Sequence, residues 1–314
     1  MSDATAVQSK GHARAKKEKG RGTGFYVRAV FFFTFLFFLY GPILVMGVLS
    51  FQGPTGGMTF PMRGVSLHWF REVFNPSYIG DFTAPFFRSI ILALIVMVIT
   101  TVFAFLAGLA YRRGFRGSGL VFYLAVASLI APSFLISMGI GLGFSNLGLE
   151  TNVWTGGMGA HLTWTLPFGL LIMLAIFSRL DTSIEEMARD LGATDWQRLQ
   201  HVVIPIVLPG LIAVGLFGFT LSYDEFPRTA LLVGSGNTLP VEMLAVQSVA
   251  PRPNLYAVGT LTTIFSLSVI GISFLALWLV EKRRGLVGGG GVPEAEHYGD
   301  ALGQRRKKTV EPAE

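Results

Sequence analysis

The sequence contains no cysteine. Disulfide frameworks, thiolate zinc sites and cysteine nucleophiles are therefore excluded. Charge is scarce as well. Only 14% of the 314 residues are Asp, Glu, Lys or Arg, where a soluble chain carries about 25%. The five histidines, at 12, 68, 161, 201 and 297, show no metal-ligand spacing. No Ser-His-Asp arrangement stands out, so hydrolytic chemistry is not expected and no catalytic residue is assigned. The chain also lacks a G-x4-G-K-[ST] phosphate cradle. If ATP drives this protein, another chain binds it. The glycines of GIGLG (139–143) sit inside an apolar run with no strand before them. They read as a helix break or close-packing site.

What is present is apolar. Hydrophobic residues make up 51% of the chain, 27 of them Phe, and the mean hydropathy is +0.56. The fold class is all-α, a polytopic membrane protein. A crossing helix needs about 20 apolar residues, and six stretches qualify: Phe25–Ser50, Phe87–Ala110, Leu120–Leu147, His161–Phe177, Ile206–Tyr223 and Tyr256–Val280. Pro132 interrupts the third, and Pro167 lies in the short fourth. The first is too long for a signal peptide's apolar region and no A-x-A-like site follows it, so it is read as a retained helix.

Lys and Arg orient these spans. Twenty of the 25 fall in the two tails, in YRRGFRG after the second stretch, and between the fourth and fifth; only Arg63, Arg71, Arg88, Arg228 and Arg252 fall on the other side. Both termini are therefore expected in the cytoplasm, which an even number of crossings requires. The formal charge of +6 is first a statement about topology, and no nucleic-acid partner is expected. Three regions follow: a disordered basic tail (1–24), a six-helix membrane domain (25–284) and a disordered tail (285–314). The tails' basic clusters anchor the chain or touch anionic lipid. In the outer segment, LHWFREVF (67–74) is amphipathic and predicts a short helix.

One segment between spans shows local design, DTSIEEMARDLGATDWQRLQHVVIPIVLPG (181–210). Ser183-x-x-Glu186 predicts a capping box. Ile184, Met187, Ala188 and Leu191 place one apolar stripe on a helix. Gly192 is positioned to end it in a left-handed turn. Thr194-x-x-Gln197 predicts a second capping box, opening a helix with Trp196, Leu199 and Val203 on one face. Such a hairpin either links two spans or docks into a groove on a cytoplasmic partner. Periodicity does not choose between the two.

Acids are rare within the apolar stretches. Asp224 and Glu225 follow FTLSY at the outer end of the fifth. Two carboxylates facing a cavity would suit a cationic amine, with Tyr223 adding an aromatic face and Ser222 a hydroxyl. Alternatively the two acids mark the helix end in water, with Arg228 as a local partner. Glu242 is a weaker second candidate. Thr34, Ser128, Ser133, Ser137, Asn146, Thr165 and Thr220 are read as packing groups. Trp154, Trp164 and His161 cluster at one outer connection, where interfacial Trp is expected, and His161 is not assigned as a ligand.

The spacing Glu186-Met187-Ala188-x-x-x-Gly192, nine residues, then Val202-x-Ile204-Pro205, resembles the EAA motif of ATP-binding-cassette importer permeases. Met187 departs from the second Ala, and Val202 and Ile204 replace Ile and Leu. YRRGFRG, APSFLISMGIGLG, HLTWTLPF, ARDLGATDWQRL and FTLSYDEF with TLPVEML are similar to the spermidine/putrescine permease branch, second-subunit type. The resemblance implies a type I importer permease fold with the EAA segment (181–205) coupling to an ATPase through Glu186, Met187, Ala188, Gly192, Ala193 and Trp196. It implies a bacterial inner-membrane location. The implied partners are a second permease of similar fold, two ATPase subunits holding ATP and Mg, and an extracytoplasmic substrate-binding protein. The implied substrate is a polyamine, with an opine, an aminophosphonate or another amine as the alternative. An ion-coupled secondary transporter would need acids deep in the spans, and almost none are there. A membrane scaffold would leave the EAA spacing unexplained.

Overall fold

The computed structural model describes residues 23–75, 80–249 and 251–283. The expected disordered tails lie outside the described residues, except Thr23 and Gly24, which open the first helix. Eleven helices form among the described residues. The long ones are α1 (Thr23–Leu49), α3 (Thr83–Arg113), α6 (Met158–Phe177), α9 (Ile204–Tyr223) and α11 (Asn254–Arg283). The shorter ones are α2 (His68–Glu72), α4 (Ser118–Ile130), α5 (Ser133–Asn146), α7 (Thr182–Asp190), α8 (Asp195–Arg198) and α10 (Leu239–Val249). Two π turns, Val153–Gly157 and Leu199–Val203, lead into α6 and α9.

Five helical stretches are long and apolar enough to cross a membrane, and the α4–α5 pair makes six if counted as one span. That pair occupies the expected third crossing and is broken at Pro132. Its two helices bend by 109°, because Pro132 removes a backbone donor and forces Ala131 into an extended conformation, with ψ of 134°. Helix α2 forms inside the predicted amphipathic piece and packs Trp69 and Phe70 against the bundle's apolar cluster. Helix α10 was not anticipated. Its apolar face holds Leu239 and Val246 in that same cluster, and its first amide, Leu239 N–H, donates to Ser89 Oγ of α3 at 2.8 Å.

Helices α3, α6 and α9 form the core because small residues let them approach. A Cβ on Gly169 of α6 would sit 2.9 Å from Thr100 Cγ2 and 3.0 Å from Ala104 Cβ on α3. Gly215 and Gly218 of α9 lie against Thr101 and Thr100. With lipid as the alternative solvent, such close van der Waals contact drives helix association. The Thr100 hydroxyl donates to Thr165 Oγ1 at 2.9 Å, buried between α3 and α6.

These contacts fix the direction of each helix. Thr100 meets Thr165 and Gly108 meets Phe177, so α3 and α6 run parallel. Phe86 meets Tyr223 and Thr101 meets Gly215, so α9 is antiparallel to α3. Tyr223 also meets Phe265, and Met46 of α1 meets Gly259 of α11. The starts of α1 and α9 and the ends of α3, α6 and α11 therefore share one end of the bundle, together with the α7–α8 hairpin. At the opposite end, buried Gln52 closes the loop before α2: its Oε1 accepts from the Arg63 amide at 2.6 Å and its Nε2 donates to Gly57 O at 3.1 Å.

Candidate functional site

The hairpin between α6 and α9 forms as helix, glycine turn, helix. Its first cap differs from expectation. Asp181, not Ser183, is the N-cap: its carboxylate accepts from the Ser183 amide at 2.9 Å. A charged acceptor two residues before the amide it reaches complements the helix dipole, and the bond holds the Asp181 carboxyl below its ordinary pKa range. Glu186 is therefore released from capping and stands exposed. The C-terminus of α7 closes on Gly192, at φ +81°. The Gly192 amide donates to Arg189 O at 2.9 Å and the Ala193 amide to Ala188 O at 3.0 Å, the paired bonds of a Schellman motif. The second capping box forms as predicted, with Thr194 and Gln197 each satisfying the other's backbone N–H.

None of the residues of α7 is buried. Its apolar stripe faces outward: Leu191 is 89% exposed and Met187 57%, and Trp196 on α8 is 62% exposed. Ala188 and Ala193 are half-buried behind them. A stripe of this kind, left uncovered on a polar hairpin, is an unfilled contact surface. Behind it lies a cleft of about 640 Å³ between the hairpin and the end of α3, lined by Arg112, Arg113, Glu185, Glu186, Arg189 and Trp196 among others. Glu185, which the sequence pattern did not single out, accepts from Arg112 of α3 and pairs with Arg198 Nε of α8 at 3.3 Å.

The acids at the far end of α9 divide. Asp224 is exposed. Glu225 is buried and committed: its Oε1 accepts from the Arg228 amide at 2.9 Å and lies 3.8 Å from the Arg228 guanidinium. Burial pushes the Glu225 carboxyl up, and the Arg228 amide and guanidinium pull against that. The Arg228 guanidinium lies 4.6 Å from the centroid of the Trp164 ring. Tyr223 is buried among Phe219, Phe86 and Phe265. Ser222 is buried against His161, whose two ring nitrogens meet Ser222 Oγ and Thr229 Oγ1, each at 2.7 Å. The Thr229 hydroxyl donates to Glu225 O at 2.8 Å, so it accepts from His161. His161 therefore carries its proton on Nε2, and Ser222 donates to Nδ1. Ser137 of α5 donates to Arg228 O at 2.7 Å, which joins the bent pair to this network. His161 thus ties α6 to the end of α9 and the segment that follows it. Its sequence signal, a lone histidine between interfacial tryptophans, is equally that of a belt residue. Glu242 accepts from Asn237 Nδ2 at 2.8 Å and is tied to the segment before α10.

Two sets of residues emerge: an exposed hairpin at one end, and a buried polar network with one open acid, Asp224, at the other. Residues 100–284, more than half of the chain, match the family model described as binding-protein-dependent transport system inner membrane component. The chain belongs to that family. The matched region contains both sets. Among curated relatives, it is 27% identical over 256 residues to the spermidine/putrescine transport system permease protein PotC of Haemophilus influenzae, covering 80% of this chain and 96% of the relative. It is 26% identical over 260 residues to the putrescine transport system permease protein PotI of Escherichia coli, covering 79% and 89%. A crystal structure of a bacterial ABC transporter involved in alginate import contains a chain of the same fold, with TM-score 0.59 and 15% identity, covering 82% of this chain and 94% of that one. The family and its apolar helices identify a multi-pass inner-membrane component of a transport system.

Proposed function

We propose that this permease forms the path for a polyamine-like cation, of the spermidine and putrescine class, and that its hairpin couples that path to ATP hydrolysis on a separate chain. The uncovered apolar stripe of Met187, Leu191 and Trp196 carries the reading. It stands at the end of the bundle where a cytoplasmic partner would meet it. An amphipathic hairpin lays such a face into a groove, and Gly192 and Ala188 allow close approach to it. ATP and Mg then reside on two copies of an ATPase. A second permease of similar fold completes the path, and an extracytoplasmic binding protein delivers substrate. Both termini face the cytoplasm of the bacterial inner membrane, a reading that the distribution of Lys and Arg supports. Transport proceeds by alternating access: the path opens outward while the ATPases are closed and inward after hydrolysis. The names and coverage of the relatives favour a polyamine over an opine or aminophosphonate.

The test is purification of the tagged full chain from its native membrane in mild detergent, with mass spectrometry of every co-purifying chain. A chain bearing a Walker motif is expected in the wild-type sample and lost with Gly192→Pro, which imposes a negative φ and deletes the Gly192 amide. A chain that purifies alone under conditions preserving other membrane complexes would overturn the reading.

A further inference from the structure

Helix α7 has no buried residue, so no apolar core holds it against the bundle. What crosses from it to the bundle is the Glu185 carboxylate. One oxygen takes Arg112 at the last turn of α3, and the other takes Arg198 Nε at 3.3 Å. The three side chains are 18%, 15% and 10% exposed, which shields them from the screening that weakens surface pairs. Arg198 also reaches Asp195 at 3.1 Å. The Arg112 guanidinium lies 6.0 Å from the centroid of Phe177, the last residue of α6, and Phe177 fills the space beside Gly108 of α3. One carboxylate therefore joins α7, α8 and α3, and through Arg112 it reaches α6. Covalently, the hairpin is continuous with α9 only through the π turn 199–203. A π turn is a wider and weaker segment than the α-helix around it, and here it also accommodates Pro205, whose ring crowds the carbonyl four residues earlier.

We propose that Glu185 is a positioning residue. It makes the hairpin and the inner ends of α3 and α6 one rigid body, so that displacement of the hairpin moves those spans instead of being absorbed at the π turn. The inference rests on the coupling role proposed above. Glu185 precedes the motif glutamate Glu186, and among the described residues Glu186 forms no ion pair. Without Glu185, Arg112 loses its carboxylate, Arg198 keeps Asp195, and no ion pair ties α7 to α3 among the described residues.

The absence of cysteine makes the test clean. Spin labels placed on Met187→Cys in α7 and Phe103→Cys in α3 report the distance between them in the purified full chain. Coupling is read in the assembled transporter as substrate transported per ATP hydrolysed. With Glu185→Gln the distance distribution is expected to broaden at least two-fold and transport per ATP to fall at least five-fold. Recovery of the ATPase is expected to stay within two-fold. Glu186→Gln leaves the distance distribution narrow. Exchanging the charges, Glu185→Arg with Arg112→Glu, narrows it again. An unchanged distribution in Glu185→Gln overturns the proposal, as does broadening with no loss of transport per ATP. If Glu185→Gln does not fold, Arg112→Gln removes the other half of the tie and is read by the same two measurements. Failure of the wild-type chain to recover any ATPase would defeat the coupling reading itself, while the label distances would still report whether Glu185 fixes α7.

Discussion

Gly108 of α3 lies against the ring of Phe177 of α6: a Cβ on Gly108 would fall 2.5 Å from Phe177 Cε2. The contact leaves no room for a methyl group, and a buried ring between α3, α6 and α9 has nowhere to retreat. Gly108→Ala should therefore cost about 1–3 kcal/mol as overpacking. Gly139→Ala is the control, because nothing lies within 4 Å of a Cβ there, and inside helix α5 it should stabilise by about 0.5–1 kcal/mol. Thermal unfolding of the purified protein in mild detergent reads both. Equal midpoints for the two variants would show that the α3–α6 contact is looser than described.

The buried histidine supports a second expectation. His161→Leu removes the acceptor for Ser222 and the donor to Thr229, both buried. Ser222 regains part of the loss by donating back to its own helix, and Thr229 keeps its bond to Glu225 O. The net cost should be about 1–3 kcal/mol. His161→Gln, which restores one polar contact, should lose less. The tautomer is checked separately: nitrogen NMR of histidine-labelled protein should show a protonated Nε2. A protonated Nδ1 would mean that the Ser222 bond runs in the opposite direction.

Much of this architecture was legible in the sequence. The long apolar runs marked the five helices long enough to cross a membrane. Gly192 and the Thr194–Gln197 pair specified the hairpin, because turn and cap chemistry is local. Four features were not legible. Asp181 displaced Ser183 as the cap, since both can reach the same turn and only geometry chooses between them. The 109° bend at Pro132 is a tertiary outcome: a proline in a span permits either a kink or a near reversal. The partners of Glu185, Arg112 and Arg198, are separated from it by 73 and 13 positions, and helical periodicity says nothing about contacts between elements. The same holds for His161, which becomes a network centre only when α6, α9 and the segment after α9 meet.

Gly192 separates local strain from loss of the turn. At φ +81° a side chain costs about 1–2 kcal/mol, but the amide remains. Gly192→Ala should therefore weaken the Schellman bonds without abolishing them. Amide exchange of 182–193 should accelerate, and transport should fall by less than ten-fold. Gly192→Pro cannot adopt the conformation and has no N–H for Arg189 O, so transport should be lost. Equal transport in the two variants would mean that the turn's geometry is not what the partner senses.

The neighbouring acids Asp224 and Glu225 should fail in different ways when neutralised. Asp224 is exposed and Glu225 buried, although both follow the same helix end. Asp224→Asn removes an open negative charge and touches no core contact. Uptake of a cationic substrate should weaken through a raised half-saturating concentration, about five-fold or more if a charge-assisted bond is lost, with an unchanged unfolding midpoint. Glu225→Gln can still accept from the Arg228 amide but leaves the buried guanidinium without its carboxylate. Removing one member of a buried pair costs about 3 kcal/mol, so the midpoint should fall and less protein should reach the membrane. Transport assays in vesicles, normalised to the amount of folded permease, distinguish the two. After that correction the Glu225→Gln variant should bind substrate with near wild-type affinity, because the Glu225 carboxylate is buried and engaged with Arg228. A raised half-saturating concentration for Glu225→Gln with normal stability would move the substrate contact one residue inward. Unchanged uptake kinetics for Asp224→Asn would remove Asp224 from the path altogether.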